Sequence, residues 1–297
     1  MYLAYVATRG SRRIVLPEVR PLLPDVEGAP STPSDLGIAY EEVRFDTDDG
    51  VRLAGWFIPA ERDTPAAVVV MHGFTGHRLP ELAAFVPWLR GSYNVLQFDF
   101  RGHGDSEAGL VTFGALEQLD VAAAVRFLAE RGCQPIALMG VSMGAAVALV
   151  AAPDLPVAAV VADAPYAHLH HPIANRMREL GYPLPGIGSR LIVAGATLRA
   201  RHRLPSPIDR IGQVAPRGQL FITGREDRLI GWQQALTLYH AAGEPKELFV
   251  VEDAGHAESW AVARDEYERR VLGFLARYLD RAGSSTEAPV GEAAASG

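Results

Sequence analysis

The chain has 297 residues, a length that fits one compact α/β unit, and we predict a single domain that carries an insertion. Hydrophobic residues make up 48% of the chain and charged residues 21%, which allows a large buried core and does not indicate wholesale disorder. The formal net charge of −7 argues against a nucleic-acid binder, because such binding depends on clustered Lys and Arg, so we expect a small-molecule partner.

The single cysteine, Cys133, excludes an intrachain disulfide and fits a reducing compartment. It lies between a helical pattern and a strand pattern without activating neighbours, so we do not expect a catalytic thiol. The first residues, MYLAYVATRGSRR, form too short an apolar run for a membrane span and lack the regions of a signal peptide. We therefore expect a cytoplasmic protein without a membrane span, either a monomer or a homodimer.

The first part of the chain, residues 1–40, is rich in proline and glycine without a regular period, which predicts an N-terminal arm lying over the domain. Two strand patterns then flank Asp48, Asp49 and Gly50, which predicts a hairpin. Short apolar runs alternate with helical patterns from there on, and most runs lack the polar alternation of a half-exposed strand. Residues 41–281 are therefore predicted to form a mostly parallel, doubly wound α/β sheet.

The strand patterns are Glu42–Phe45, Arg52–Pro59, Ala66–Met71, Asn94–Phe98, Pro135–Met139, Val157–Val161, Gln219–Ile222 and Glu247–Val251. The helical patterns are Glu81–Arg90, Leu116–Arg131, Met143–Ala151, Gln233–Ala242 and Ser259–Arg281.

Residues 166–218 interrupt the alternation with helix-like pieces and several prolines, and the segment is too long for a plain connection. We predict that it is a helical cap inserted over one end of the sheet. Its apolar residues predict an apolar pocket for an acyl or alcohol group, and they are Leu180, Tyr182, Leu184, Ile187, Leu191, Ile192 and Leu198. The last residues, 282–297, are small and polar, which predicts a disordered tail.

The motif with the clearest chemical meaning is GVSMG at 140–144, between the strand pattern PIALM and the helix-compatible run AAVALVAA. Gly140 and Gly144 allow a turn that is too tight for side chains, and this turn exposes the hydroxyl of Ser142 at the end of the sheet. The following helix N-terminus favours negative charge close to the serine. A bare match is weak where glycine is common, but the strand–turn–helix context predicts that Ser142 is a nucleophile.

A serine hydroxyl needs a base to take its proton, and a histidine base needs a carboxylate to orient it. In hydrolases with such a turn the three residues follow in the order serine, acid, histidine. Asp227 follows a buried-strand pattern in QLFITGREDRLI, with the adjacent Glu226 as an alternative. His256 follows the last strand pattern in KELFVVEDAGH and is the predicted general base.

The negative oxygen of a tetrahedral intermediate needs donors that are fixed before the reaction, and backbone N–H groups serve this purpose. One predicted donor is the N–H of Met143, the residue after the nucleophile. The other is the N–H of Phe74, in the loop after the strand pattern AAVVVM, where glycines allow a close approach to the substrate. His72, in the same loop, precedes the serine and is expected to have a structural hydrogen-bonding role.

The chain resembles the α/β-hydrolase superfamily in five motifs: HGFTG at 72–76, DFRGHGDS at 99–106, GVSMG at 140–144, GREDRLI at 224–230 and DAGH at 253–256. DGVRLAGWFIPA at 49–60 resembles the serine esterase and peptidase-like branch that includes bacterial cytoplasmic hydrolases and the mammalian ABHD proteins. The resemblance covers residues 41–280. It implies an α/β-hydrolase fold of about eight strands, no cofactor, a covalent acyl-enzyme and a structural turn at residues 101–105.

Two alternatives concern other residues. His168, His170 and His171 suggest a metal site, but no nearby Asp or Glu completes a recognised spacing, which favours a position on the cap surface or the rim of the site. Asp163, just after the strand pattern VAAVV, could orient the catalytic histidine in place of Asp227. The sequence itself leaves this alternative open.

The expected function is serine hydrolysis of small to medium apolar carboxylic esters (EC 3.1.1) through an acyl-enzyme on Ser142. A thioesterase or an aminopeptidase could use the same three residues, because the cap and pocket set specificity. A non-catalytic member of the fold is the alternative from a different class. The complete set of Ser142, Asp227 and His256 argues against it.

Overall fold

The computed structural model describes residues 30–74 and 76–280 of the chain. Most of the predicted N-terminal arm and all of the predicted tail at 282–297 lie outside these residues. The described end of the arm contains a short 3₁₀ turn, Pro33–Leu36. After this turn, Ile38 packs in the same apolar cluster as Trp56, and the ring of Tyr40 meets that of Trp56 edge to face at 5.9 Å.

Eight strands form one sheet, and their bounds are β1 (Glu41–Asp46), β2 (Arg52–Ile58), β3 (Ala67–Met71), β4 (Asn94–Phe98), β5 (Ile136–Val141), β6 (Ala159–Asp163), β7 (Gly218–Gly224) and β8 (Lys246–Val251). Their spatial order is β1-β2-β4-β3-β5-β6-β7-β8. β2 is antiparallel to β1 and β4, and the other neighbouring pairs are parallel. The predictions of a mostly parallel sheet and of the β1–β2 hairpin are confirmed.

The α-helices are α1 (Leu79–Leu89), α2 (Glu117–Glu130), α3 (Met143–Ala151), α4 (His170–Glu179), α5 (Pro185–Ala200), α6 (Trp232–Ala241), α7 (Ser259–Val262) and α8 (Arg264–Leu279). The prediction of one continuous helix after Ser259 is wrong. Ala263, with φ −127° and ψ 46°, separates α7 from α8, although no glycine or proline marks this position. Within residues 30–74 and 76–280, every helix is too short or too polar to reach across a bilayer.

The central strands are buried on both faces, because helices cover both sides of the sheet. One apolar cluster joins the sheet to α2, α3 and α6 and includes Val125, Val147 and Leu238. The cluster on the other side joins it to α1 and α8, where the rings of Phe85 and Tyr267 stack 5.9 Å apart. This packing fixes the strand ends that carry the candidate site.

The turn after β4 is built from buried charges and glycine. Gly104 has φ +47°, and a Cβ there would overlap the carboxylate of Asp99, so only glycine fits. The buried guanidinium of Arg101 donates from Nε to Asp120 Oδ1 at 2.8 Å and from Nη1 to Asp49 Oδ2 at 2.7 Å. These contacts agree with the structural turn that the family resemblance implies.

The chain between β6 and β7 forms α4, α5 and two 3₁₀ turns, Pro207–Asp209 and Ile211–Gln213. This is the part of the chain in which the cap is predicted. α4 packs on α5, and it is tied to the loop after β7 because Asn175 Nδ2 donates to the carbonyl oxygen of Leu229 at 2.9 Å. The two helices therefore lie at the same end of the sheet as the carboxyl end of β7.

Candidate active site

Ser142 lies in a sharp turn between β5 and α3, and its backbone has φ 54° and ψ −109°. Such angles are costly for a residue with a side chain and persist only where the surroundings impose them. A Cβ at Gly144 would lie 2.5 Å from the carbonyl oxygen of Met71, and a Cβ at Gly140 would overlap the backbone of Gly144. The glycines of the motif are thus required because α3 starts directly against the ends of β3 and β5.

The structure brings the three side chains of the predicted triad together. His256 lies in the loop after β8, and its Nε2 is 3.0 Å from Ser142 Oγ. Its Nδ1 is 2.8 Å from Oδ2 of Asp227, which lies in the loop after β7. A proton on Nδ1 satisfies both contacts, because Nδ1 then donates to the carboxylate while Nε2 accepts from the hydroxyl. This arrangement can transfer the proton of the serine to the imidazole.

Asp227 is itself held in place by the protein. Its side chain is fully buried, and Oδ1 accepts a hydrogen bond from the backbone N–H of Ile230 at 2.8 Å. The neighbouring Glu226 is exposed, so this alternative acid is directed to solvent. A buried carboxylate that is bonded at both oxygens orients the histidine in one position.

Asp163, the other alternative acid, lies at the end of β6 and bonds a different partner. Its Oδ2 accepts a hydrogen bond from the hydroxyl of Tyr267 in α8 at 3.0 Å. Its backbone carbonyl accepts from the N–H of Ser142 at 2.8 Å, which links the serine turn to β6. Burial raises the pKa of the Asp163 carboxyl to about 7, although the Tyr267 hydroxyl and the nearby His256 act in the opposite direction.

The two predicted oxyanion donors belong to the start of α3 and to the loop after β3. Met143 is the first residue of α3, where backbone N–H groups have no partner within the helix. The loop after β3 passes close by, because a Cβ at Gly73 would lie 3.5 Å from the Cβ of Ser142. Phe74 follows in this loop, half-buried, with its ring 5.0 Å from that of Phe113. Met143 thus follows the serine directly along the chain, and Phe74 follows a residue that approaches it in space.

His72 has the structural role that the sequence indicates. The residue is buried, its Nδ1 lies 2.7 Å from the carbonyl oxygen of Gly73, and its Nε2 accepts from the N–H of Phe100 at 3.1 Å. Burial holds the pKa of His72 well below its ordinary value, and the neighbouring His103 adds to this effect. His72 therefore joins the loop after β3 to the turn after β4 as a neutral side chain.

The three histidines at the start of the inserted segment lie together, with ring centroids of His168 and His171 5.5 Å apart and those of His170 and His171 4.6 Å apart. Gln234 Nε2 donates to His171 Nδ1 at 2.7 Å, which occupies that nitrogen. Burial lowers the pKa of His170 and of His171, and nearby cationic groups add to this. Among residues 30–74 and 76–280, no group of three or more His, Cys, Asp or Glu has an arrangement that could hold a metal ion.

The predicted apolar pocket of the cap is wrong in its residues. Six of the seven side chains offered for it are exposed, namely Leu180, Tyr182, Leu184, Ile187, Leu191 and Leu198, and only Ile192 is half-buried. The reason is that α5 turns a different face inward, formed by the small residues Ser189, Ala196 and Ala200. Three half-buried apolar side chains that pack against the core are Phe74 in the loop after β3, Ile173 on α4 and Leu229 in the loop after β7.

Three side chains that the sequence did not single out hold this region together. Gln234 in α6 is buried, and its Oε1 accepts from the backbone N–H groups of Ala167 and His168 at 3.2 and 3.3 Å. Asn175 ties α4 to the loop that carries Asp227, and Tyr267 bonds Asp163. A lone Gln, Asn or Tyr in a helical pattern has no sequence signal that distinguishes it from a surface residue.

A serine at a strand–turn–helix elbow, hydrogen-bonded to a histidine from the loop after the last strand, is characteristic of α/β-hydrolases. Comparison with known proteins agrees with this class. The family model described as serine aminopeptidase S33 matches residues 62–206. YfhR of Escherichia coli strain K12 is 30% identical over 250 residues, which cover 81% of this chain and 82% of YfhR. The α/β-hydrolase domain-containing protein WAV2 of Arabidopsis thaliana is 26% identical over 272 residues, or 87% and 86% of the two chains.

Among solved structures, the Pyrococcus furiosus esterase Pf2001 is similar, with a TM-score of 0.74 and 28% identity over 92% of this chain and 98% of the esterase. The chain belongs to the α/β-hydrolase superfamily. Its family and its structural neighbours indicate that it is a hydrolase.

Proposed function

We propose that this protein hydrolyses carboxylic esters of small to medium apolar substrates through a covalent acyl-enzyme on Ser142. The observation that supports the proposal most is the pair of contacts at His256, 3.0 Å to Ser142 Oγ and 2.8 Å to Asp227 Oδ2. Both distances fall in the range of good hydrogen bonds, so proton transfer requires little rearrangement.

In the first half of the reaction, Ser142 Oγ attacks the ester carbonyl carbon while His256 takes the hydroxyl proton. The tetrahedral intermediate collapses when the bond to the alcohol oxygen breaks, and His256 gives its proton to that oxygen. In the second half, His256 takes a proton from water, the hydroxide oxygen attacks the acyl-enzyme, and the proton returns to Ser142 as the acid leaves. Asp227 stabilises the positive imidazole in both halves.

The backbone N–H groups of Phe74 and Met143 would bind the negative oxygen of each intermediate. The position of Met143 at the start of α3 supports this role, because its N–H needs no partner in the helix and the helix dipole favours a negative charge there. For Phe74, the support is the approach of the preceding residue, Gly73, to Ser142. Donors that are fixed in place before the reaction lower its barrier because they need no reorganisation.

The choice of esters rests on the similarity to the Pf2001 esterase, which is 28% identical to this chain. Apolar substrates fit the half-buried Phe74, Ile173 and Leu229. An aminopeptidase is the second candidate, because the family model that matches residues 62–206 is described by that activity. A thioesterase could use the same three residues.

The same proposal includes the organisation of the chain. Residues 166–218 act as the cap that shapes the substrate site, residues 1–40 as an arm, and residues 282–297 as a tail outside the reaction. A cytoplasmic location and a monomeric or homodimeric state remain predictions from the sequence.

A substrate panel tests the reaction class. Purified protein and its Ser142→Ala variant would be assayed on p-nitrophenyl esters of increasing acyl length, on the corresponding thioesters and on amino-acid p-nitroanilides. We expect turnover of esters that the substitution abolishes, with the folding of the variant verified by circular dichroism. Faster turnover of the anilides with a free amino group would favour the aminopeptidase, and turnover that survives in Ser142→Ala would contradict the proposal.

A further inference from the structure

Helix α5 carries its large apolar side chains on the outside. Leu191 and Leu198 are 67% and 82% exposed and are spaced seven residues apart, so they lie on one face of the helix. Leu184, directly before the helix, is 69% exposed. Ile187 on α5 and Leu180 and Tyr182 in the turn before it are also exposed. We call these six residues the apolar cap face.

The inner side of α5 explains why these residues point outward. The helix is buried at Ser189, Ala196 and Ala200, whose small side chains allow it to pack closely on the protein. A surface helix of a globular protein normally buries its leucines and exposes its polar side. Because α5 instead exposes its leucines, the apolar cap face is an exposed apolar surface of the kind that marks an interaction site.

The charge around this face is opposite to that of the rest of the chain. Residues 170–201, which hold the two helices, contain five arginines and no lysine, against one carboxylate, so they are formally +4 in a chain that is −7 overall. Arg178, Arg190 and Arg201 are exposed on or next to the two helices. The one carboxylate, Glu179, pairs with Arg176 at 3.0 Å.

These charges favour one kind of partner for the apolar cap face, an anionic lipid surface, over a second copy of the chain. A second copy of the chain would bring two cationic faces together, which disfavours a dimer through α5. An anionic lipid surface, by contrast, accepts leucine side chains at the boundary of its acyl region and attracts arginine through its phosphates. We propose that the apolar cap face is a docking surface for an anionic lipid membrane, with α5 lying in the plane of the interface.

The apolar cap face is connected to the candidate site through α4, but it includes none of the reacting groups. α4 lies between α5 and the loop of Asp227, to which Asn175 bonds at the carbonyl oxygen of Leu229. A membrane docked on α5 would therefore lie at the carboxyl end of the sheet. Docking does not depend on the proposed ester hydrolysis, and the Ser142→Ala variant should dock like the unmodified chain.

Vesicle cosedimentation of the full-length protein tests the proposal. The vesicles would be phosphatidylcholine with about one third phosphatidylglycerol, compared with phosphatidylcholine alone. We expect binding to the anionic vesicles and loss of about tenfold in the partition coefficient for Leu191→Gln/Leu198→Gln. Arg178→Gln/Arg201→Gln should lose about fivefold for each arginine removed.

Matched controls come from exposed residues far from α5. Leu36→Gln, in the 3₁₀ turn before β1, and Arg269→Gln, on α8, should bind like the unmodified chain. The proposal would be overturned if the protein stayed in solution with anionic vesicles, or if Leu191→Gln/Leu198→Gln bound as well as the unmodified chain. It would also be overturned if size-exclusion chromatography showed a dimer that this double substitution converts to a monomer, because a second copy would then be the occupant.

Discussion

The hydroxyl of Tyr267 donates a hydrogen bond to the buried carboxylate of Asp163 at 3.0 Å, so its removal should lower the free energy of unfolding. Tyr267→Phe deletes this one oxygen and keeps the ring that stacks on Phe85. Both Tyr267 and Asp163 are buried, so water cannot replace the lost donor without entering the core. The expected effect is therefore a loss of stability whose size depends on the charge of Asp163.

The sign of the pH dependence follows from the raised pKa of Asp163, about 7 in the folded protein. This pKa is higher than that of an aspartate in the unfolded chain. The contribution of Asp163 to the free energy of unfolding is therefore fully present below the unfolded pKa and is lost as the pH rises through about 7. Removal of the Tyr267 donor raises the pKa further, so the substitution costs more at high pH. We expect a loss of about 1 kcal/mol near pH 5, where Asp163 is protonated, and of about 2 to 3 kcal/mol near pH 9.

Urea unfolding of the unmodified chain and of Tyr267→Phe at both pH values measures these losses. Tyr278→Phe is the matched control, since it lies on the same helix and is not bonded to Asp163, and it should show no such pH dependence. In a background of Asp163→Asn, the pH dependence of the Tyr267→Phe effect should vanish. Equal losses at the two pH values would refute the reasoning, because Asp163 would then not change charge in this range.

Three further substitutions give expected outcomes at other positions. Arg101→Met leaves the buried Asp120 without its partner and should lower the free energy of unfolding by about 3 to 5 kcal/mol in urea, and a loss below about 1 kcal/mol would contradict the ion pair. Gly144→Ala places a Cβ 2.5 Å from the Met71 carbonyl and should lower kcat about a hundredfold on a p-nitrophenyl ester. Its control, Gly273→Ala, meets nothing within 4 Å and should stabilise α8 by about 1 kcal/mol, as thermal unfolding would reveal. Asp227→Asn should lower kcat about 10⁴-fold with little change in the urea midpoint, and full activity would remove Asp227 from the proposed mechanism.

The sheet could be predicted from the sequence because its central strands are buried on both faces. Runs such as AVVVM at 67–71 and IALMGV at 136–141 have no polar alternation, and their short length and branched residues favour strands covered on both sides. The serine turn was predictable for a different reason. Its two glycines are required by contacts with adjacent backbone, so the motif itself encodes the geometry.

The distances between side chains of distant segments could not be derived from the sequence. The sequence predicts that Ser142 and His256, which are 114 residues apart, act together, but it does not give the 3.0 Å between their side chains. The bond between Tyr267 and Asp163 spans 104 residues and had no signal at all. Loop conformation and side-chain rotamers decide such distances, and neither leaves a periodic pattern.

The cap illustrates a limit of periodicity. The spacing of Leu191 and Leu198 places them on one face of a helix, but it does not say which face meets the protein. The sequence suggested that the leucines face a pocket. In the structure, the close packing of Ser189 and Ala196 turns the leucines outward instead.

The most direct test of the proposed nucleophile is covalent labelling with a fluorophosphonate, followed by mass spectrometry of the digested protein. We expect one phosphonylated peptide with the modification on Ser142, formed by the unmodified chain and strongly reduced in a folded His256→Gln variant. A folded, unlabelled protein, or a label on another residue, would contradict the claim that His256 activates Ser142.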